Sequence, residues 1–473
     1  MRKNYDVIIV GAGPAGIFCA YEILEENPEK SILLIERGKR VEERHCPEKQ
    51  LGRCIKCKPY CAKMNGFSGA GAFSDGKLSL YNKEDDDIYV GGNLHKIIGV
   101  ESTKKMIDYA YNVYLNFGAT KDIEGTKDHF RVAQIRKRAQ NVGLELINIP
   151  ICHLGTDMAP KIFQKIEEFL ESSGVDIAFE TEVLDLIISD NKIKGIQYKV
   201  NKAFSEEVYA DKVVIAIGRV GAEWLLQMCN NHKIQSSPAT IDVGVRYELP
   251  DKVMSEINEY LYEGKFIGKP NPFNDKVRTF CQNPSGFVSS EVYEGGMTLV
   301  NGHSCKNEKS KNTNLALLVS LNLKGVGDPM EYTRNIARNM NALADGNDVL
   351  VQRLGDIKAG KRTWPEELKT NSVEPTLDSA KPGDLSLAMP YRELTDILMF
   401  ISQLDKVIPG FADDDNLLYG PEIKFYSNKV DLSEDLQTSV EGLYAIGDGC
   451  GLTRGLMMAS ASGVHVARCI FKD

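Results

Sequence analysis

YDVIIVGAGPAG at residues 5–16 and SILLIE at residues 31–36 are the stretches whose reading decides the fold. The apolar, β-branched run at 7–10 predicts a buried strand, and Ile17, Ala20, Ile23 and Leu24 recur at helical spacing behind the glycines. Strand, glycine turn, helix and second strand make the βαβ half-unit that binds dinucleotides, and each residue type has a reason to be there. Gly11 permits the tight turn, Gly13 lets backbone approach a pyrophosphate, and Gly16 lets helix and strand pack closely. Pro14 and Ala15 open the helix, whose N-terminal N–H groups attract phosphate charge. Glu36 closes the second strand 20 residues after Gly16, where it is expected to accept hydrogen bonds from ribose hydroxyls, with Arg37 beside it in the same cofactor-binding set.

The chain has 473 residues, 42% hydrophobic and 26% charged, an ordinary globular composition sufficient for two or three lobes. Lys plus Arg number 57 against 66 Asp plus Glu, and the net charge of -9 argues against nucleic-acid and anionic-membrane partners. No apolar run reaches the roughly 18 residues of a membrane span. The basic start followed by VIIV is interrupted by Asp6 and the glycine turn, so it does not read as an export signal. With 11 cysteines, an odd number, the thiols are expected to be reduced and the location cytoplasmic.

Further along, Ile162, Phe163, Ile166, Phe169 and Leu170 predict an amphipathic helix at 157–173, and strand patterns lead to DKVVIAIG at 211–218. GLYAIGDG at 442–449 predicts a buried strand, followed by a glycine turn and a helix from about 455 to 471. The expected organisation is a discontinuous dinucleotide-binding lobe at 1–85, 151–235 and 431–473, a substrate-side segment at 86–150 and a substrate domain at 236–430, with the active site in the cleft between lobes. Glycine pairs at 91–92 and 295–296 and GVGD at 325–328 lack strand-to-helix context, so no second dinucleotide fingerprint is read.

Cys46, Cys54, Cys57 and Cys61 fall within 16 residues, among Lys49, Arg53, Lys56, Lys58 and Lys63. Thiolates at this spacing suit an iron–sulfur cluster or, second, a zinc site. A redox dithiol and ordinary reduced thiols are the other two readings.

GFSGAGAFSDGKLSL at 66–80, HLGTD at 153–157, FCQNPSGFV at 280–288, NGHS at 301–304, LYGPE at 418–422 and GDGCGLTRGLMMASASG at 447–463 resemble the family of uncharacterised FAD-dependent, or NAD(FAD)-utilising, dehydrogenases. The layout is similar to that of glutathione-reductase-like, two-dinucleotide-binding-domain flavoproteins. The resemblance implies an α/β fold with a Rossmann-like FAD lobe and a second α+β substrate lobe. It implies FAD at the first fingerprint, supported by Gly218 and by Gly447-Asp448, the latter accepting from a ribityl hydroxyl. Gly69, Ala70, Gly71 and Ser74 would pass the pyrophosphate and the N5 edge, with Thr453, Gly455 and Leu456 completing the flavin set. Many relatives carry Gly-Glu-Gly-Ala-Gly and a Gly-Gly pair where this chain has Gly447, Asp448, Gly449, Cys450, Gly451 and then Thr453-Arg454. Arg454 is therefore a difference that bears on redox potential or substrate charge.

Candidate catalytic groups are Lys77, for stabilising reduced flavin, His153 and His303, as proton carriers near neutral pH, and Arg454. The expected function is hydride transfer between N5 of FAD and a small organic substrate. NAD(P)H enters only as a transient donor, since no separate nicotinamide domain is read. Two other readings stand beside it. One is a flavin and iron–sulfur relay serving a redox partner protein; the other is a flavin-dependent modifier of a macromolecule, which the acidic balance disfavours.

Overall fold

The structure, a computed structural model, describes residues 2–46, 57–73, 76–83, 88–126, 128–155, 158–200, 204–237, 241–261, 264–292, 297–303, 308–321, 329–346, 348–425 and 429–472. The fold is mixed α/β, and the chain divides into two compact units. One comprises Met1–Ile123, Pro150–Ala239 and Ser427–Asp473; the other comprises Glu124–Ile149 and Thr240–Tyr426. No helix among the described residues is long and apolar enough to cross a membrane.

The first unit is built on five parallel strands in the order Leu443–Ala445, Val213–Ile215, β1 (Val7–Val10), β2 (Ile32–Ile35) and Asp176–Ala178. Every residue of β1 and β2 is buried, as expected of parallel strands covered on both faces. Register runs Ile8 to Leu33 on one side and Ile8 to Val213 on the other. Helix α1 (Pro14–Glu26) follows β1, and the C-terminal helix Gly455–Ile470 lies against it. The two helices meet backbone to backbone: a Cβ at Gly463 would stand 2.2 Å from the Ala15 carbonyl oxygen and 2.8 Å from the Cys19 nitrogen. Tyr114 of helix Val100–Asn116 closes the same core, its hydroxyl 3.0 Å from Ser460 Oγ and its ring 4.8 Å from Phe18. The amphipathic helix expected at 157–173 is Ala159–Ser172.

The second unit contains, among the described residues, an eight-stranded sheet in which Ile241–Pro250 and Asn312–Leu321 are the central antiparallel pair. Alternation along the first of these sorts the two faces. Val243, Val245, Tyr247 and Leu249 join an apolar cluster with Ile397, Phe400 and Ile401 of helix Tyr391–Asp405. The opposite face is polar yet buried. Arg246, with no exposed surface, donates through Nε to Asn314 Oδ1 at 2.8 Å and through Nη2 to the Cys281 carbonyl at 2.8 Å, and its Nη1 lies 3.5 Å from Glu422. A Cβ at Gly302 would sit 2.0 Å from Arg246 Nη2. FCQNPSGFV, NGHS and LYGPE thus contribute Cys281, Gly302 and Glu422 to the surroundings of one guanidinium. A buried charge is tolerable only when paired and hydrogen-bonded, which explains why these short stretches converge.

Gly463→Ala tests the helix contact in the first unit. It should cost about 2 kcal/mol of stability, because overpacking forces backbone apart. The readout is a lower urea midpoint at unchanged slope, and an unchanged midpoint refutes the close approach.

Candidate functional site

The glycine turn after β1 is held open by its own geometry. Gly11 has φ 107°, in the region that favours glycine, and its nitrogen donates to the Ile35 carbonyl at 2.8 Å. Gly13 caps α1 with no side-chain cap, and a Cβ built there meets nothing within 4 Å. Other sequence-predicted residues gather around this open floor. Ser68 N donates to the Ala12 carbonyl at 2.7 Å, and a Cβ at Gly69 would lie 3.7 Å from Gly13 Cα. A Cβ at Gly447 would lie 3.1 Å from Ala15 Cβ, and one at Gly449 would lie 2.9 Å from the Gly218 carbonyl. Built Cβ atoms at Gly218 and Gly455 also meet nothing within 4 Å, whereas one at Gly71 would press on Leu456 Cδ2 at 2.8 Å. Phe73 N donates to the Ala70 carbonyl at 3.3 Å, tightening that turn.

Glu36, only 7% exposed, ties the loops together. Its Oε2 accepts from Ala12 N at 3.1 Å, and its Oε1 accepts from Gly38 N at 2.8 Å and from Gly66 N at 2.9 Å. Arg37 donates through Nε to Asn65 Oδ1 at 2.7 Å and stacks 4.8 Å over Tyr60.

Arg44 is the organiser that the sequence reading missed. Buried beneath the second glycine loop, it donates to the carbonyls of Phe67 at 2.5 Å, Gly69 at 2.6 Å, Ala62 at 3.0 Å and Lys63 at 3.0 Å. Burial pulls its guanidinium down to about 10, against the opposing pull of Glu36. No local pattern marks it, since it stands in the charged run VEERH.

At the other side of the floor, Asp448 accepts from Thr453 Oγ1 at 2.9 Å and from Gly455 N at 3.4 Å. Burial pushes its carboxyl above the usual range, while Arg219, Thr453 and Arg454 pull it back. This loop is braced by Gly91 and Gly92. Arg454 N donates to the Gly91 carbonyl at 3.1 Å, Asn93 N donates to the Leu452 carbonyl at 2.8 Å, and Gly92 bridges Thr453. A Cβ at Gly91 would stand 2.7 Å from Arg454 Cβ, so the glycine pair set aside in the sequence serves as a strap.

Lys77 and His153 are brought together. The strands Lys77–Ser79 and Ile151–His153 pair antiparallel with Lys77 opposite His153, so both side chains leave on one face. The first of these strands packs against the C-terminal helix. His303 lies in the second unit, at the exposed end of the hairpin strand Thr298–His303, stacked on Phe287 at 5.9 Å. Ser74 and Cys54 lie outside the described residues. Cys46, Cys57 and Cys61 are partly buried, and among the described residues no three His, Cys, Asp or Glu side chains are placed to hold a metal ion.

A family model described as "FAD-dependent protein, C-terminal domain-like" matches residues 240–424. A protein of Clostridium beijerinckii (strain ATCC 51743 / NCIMB 8052), described as uncharacterized, is 24% identical over 484 residues, spanning 98% of this chain and 80% of that one. Among solved structures, E. coli quinol fumarate reductase FrdA is 13% identical, covers 99% of this chain and 70% of its own, and has a TM-score of 0.45. Formate oxidase is 11% identical, with coverages of 99% and 98% and a TM-score of 0.43. L-proline dehydrogenase from P. horikoshii is 12% identical, with coverages of 100% and 94% and a TM-score of 0.41.

Glu36→Ala strands the amides of Ala12, Gly38 and Gly66 together. The expected loss is about 3 kcal/mol, measured by denaturant unfolding, and a loss within experimental error would show that the carboxylate is not what joins the two glycine loops.

Proposed function

We propose that the first unit binds FAD and that the chain is a FAD-dependent oxidoreductase acting on a small organic substrate, with the glutathione-reductase-like arrangement of its FAD lobe. The observation that carries this reading is the open floor at Gly13, to which Gly69, Gly218, Gly447 and Gly455 add side-chain-free backbone. The description of the family model over 240–424 supports it from the second unit. The donor set fits the group. The uncapped N-terminus of α1 suits a diphosphate, and the Asp448 carboxyl suits a polyol hydroxyl. When bound, FAD supplies reversible two-electron transfer, hydride chemistry included.

The remaining work falls to side chains of this chain. Glu36 and Arg44 fix the two glycine loops that border the floor. Arg454, carried on the strapped loop beside Asp448, adds positive charge where an anionic reduced cofactor or an acidic substrate group is stabilised. His153 moves a proton to or from substrate, with Lys77 across the strand pair on the same face.

A second reading keeps one observation in its favour. Arg44, two residues before Cys46, holds the carbonyl of Ala62, next to Cys61, and so draws the ends of the cysteine loop together. In that reading Cys46, Cys54, Cys57 and Cys61 would hold an iron–sulfur cluster that passes electrons to a partner protein, or a redox-inactive zinc ion that would only fix the loop. An anaerobic preparation with stoichiometric iron and a broad visible shoulder beside the flavin bands supports it. Flavin bands alone, with neither metal present, end it.

Gly13→Val separates binding from folding. Its Cβ has free space and its backbone is extended, so the unfolding midpoint of the flavin-free protein should hold while the branched side chain fills the cradle and bound flavin absorbance falls to near zero. Full flavin occupancy in the variant overturns the reading. For the proton carrier, His153→Gln should retain flavin and lower turnover roughly a hundredfold. Unchanged turnover and pH profile would remove His153 from the chemistry.

A further inference from the structure

The N-terminal end of helix Tyr391–Asp405, in the second unit, carries Arg392, Glu393 and Asp396. Asp396 has no exposed surface, and neither carboxyl oxygen finds a donor. Its hydrogen-bonding neighbour is another carboxyl, Asp275, on the segment between strands Gly264–Gly268 and Val277–Asn283. Arg392 grips Asp275 through Nε and, at 2.9 Å, through Nη2. The same guanidinium lies 4.9 Å over Phe273, whose ring meets Tyr391 edge-on at 6.0 Å. Glu393 is 6% exposed with Oε2 lacking a donor, and Tyr332 of helix Pro329–Leu343 faces it.

Two carboxyls in contact cannot both ionise cheaply away from water, so such a pair retains one proton between them. The cation beside them, Arg392, is committed to Asp275, which leaves Asp396 as the protonated partner and donor.

We propose that the proton shared by Asp396 and Asp275 is a pH-sensitive latch that fastens the 270–276 loop to helix Tyr391–Asp405 and releases it when Asp396 ionises. Burial, then the charge of Asp275, pushes Asp396 up to about 7, with Arg392 opposing and Glu393 adding to the rise. A carboxyl raised in the folded state contributes stability that is present in full in acid and is lost as pH climbs through about 7. Asp275 is held below the usual range by Arg392, so its own contribution is lost only in acid, outside the window of the latch. The latch stands whether or not the first unit binds FAD.

Hydrogen exchange of the full chain, corrected for the intrinsic effect of pH, tests this at about pH 6 and about pH 8.5. In the wild type, segments 270–276 and 391–397 should exchange roughly tenfold faster at the higher pH. Asp396→Asn, which keeps a donor and cannot ionise, should exchange equally at both. Arg392→Gln, at an exposed side chain, removes the opposing cation and should move the wild-type transition to higher pH. Equal wild-type exchange at the two pH values, or a pH response that persists in Asp396→Asn, overturns the latch. Should Asp396→Asn fail to fold, an unmoved transition in Arg392→Gln overturns it.

Discussion

One carboxylate holds the site together. Glu36, at the end of β2, takes the amides of Ala12, Gly38 and Gly66, one from each of three chain segments that would otherwise be independent loops. Loop backbone needs partners, and loops do not supply one another with regular ladders. A charged acceptor can satisfy several N–H groups at once with short, strong bonds. The first glycine turn therefore inherits the rigidity of the parallel sheet, and the second glycine loop inherits it through Glu36 and Arg44. Gly13 is left free of side chains in a frame that does not have to reorganise when a ligand arrives, which lowers the cost of binding.

The second unit solves the burial of charge differently from place to place. Arg246 is surrounded by Asn314, the Cys281 carbonyl and Glu422, so its charge is compensated inside the sheet. Glu248, also without exposure, accepts from Tyr419, Thr376 and Asn312, yet burial still raises its carboxyl. Asp396 has no comparable set of donors, and the protonation it needs makes its corner of the unit depend on the medium.

Much of the first unit is legible in the sequence because its signals are local. A β-branched run, a glycine turn and a helical stripe stand side by side at 5–26, and the structure forms β1 and α1 there. What local patterns do not carry is pairing at a distance. Gly91 and Gly92 have no strand or helix beside them in the sequence that gives them meaning; their partner is the 452–454 segment. Arg44 reads as one charge among several until the carbonyls of 62–69 are folded over it. The acid at the end of β2 reads as a ligand acceptor, and its three backbone donors appear only once the loops are in place. The cysteine spacing speaks of chemistry but not of geometry, and Cys54 lies outside the described residues.

The contact between Gly463 and Ala15 joins residues more than four hundred positions apart. Closing a flexible loop of that length costs roughly 5 kcal/mol in chain entropy, beyond a constant, by logarithmic scaling. The second unit is nested inside this span, with most of its residues running from Thr240 to Tyr426. Once it has folded, it replaces a long flexible tether with a compact insert. The ends that must meet to complete the parallel sheet and its two helices are then separated by far less free chain. Connectivity alone thus favours an order of assembly in which the inner unit folds first and shortens the search of the outer one.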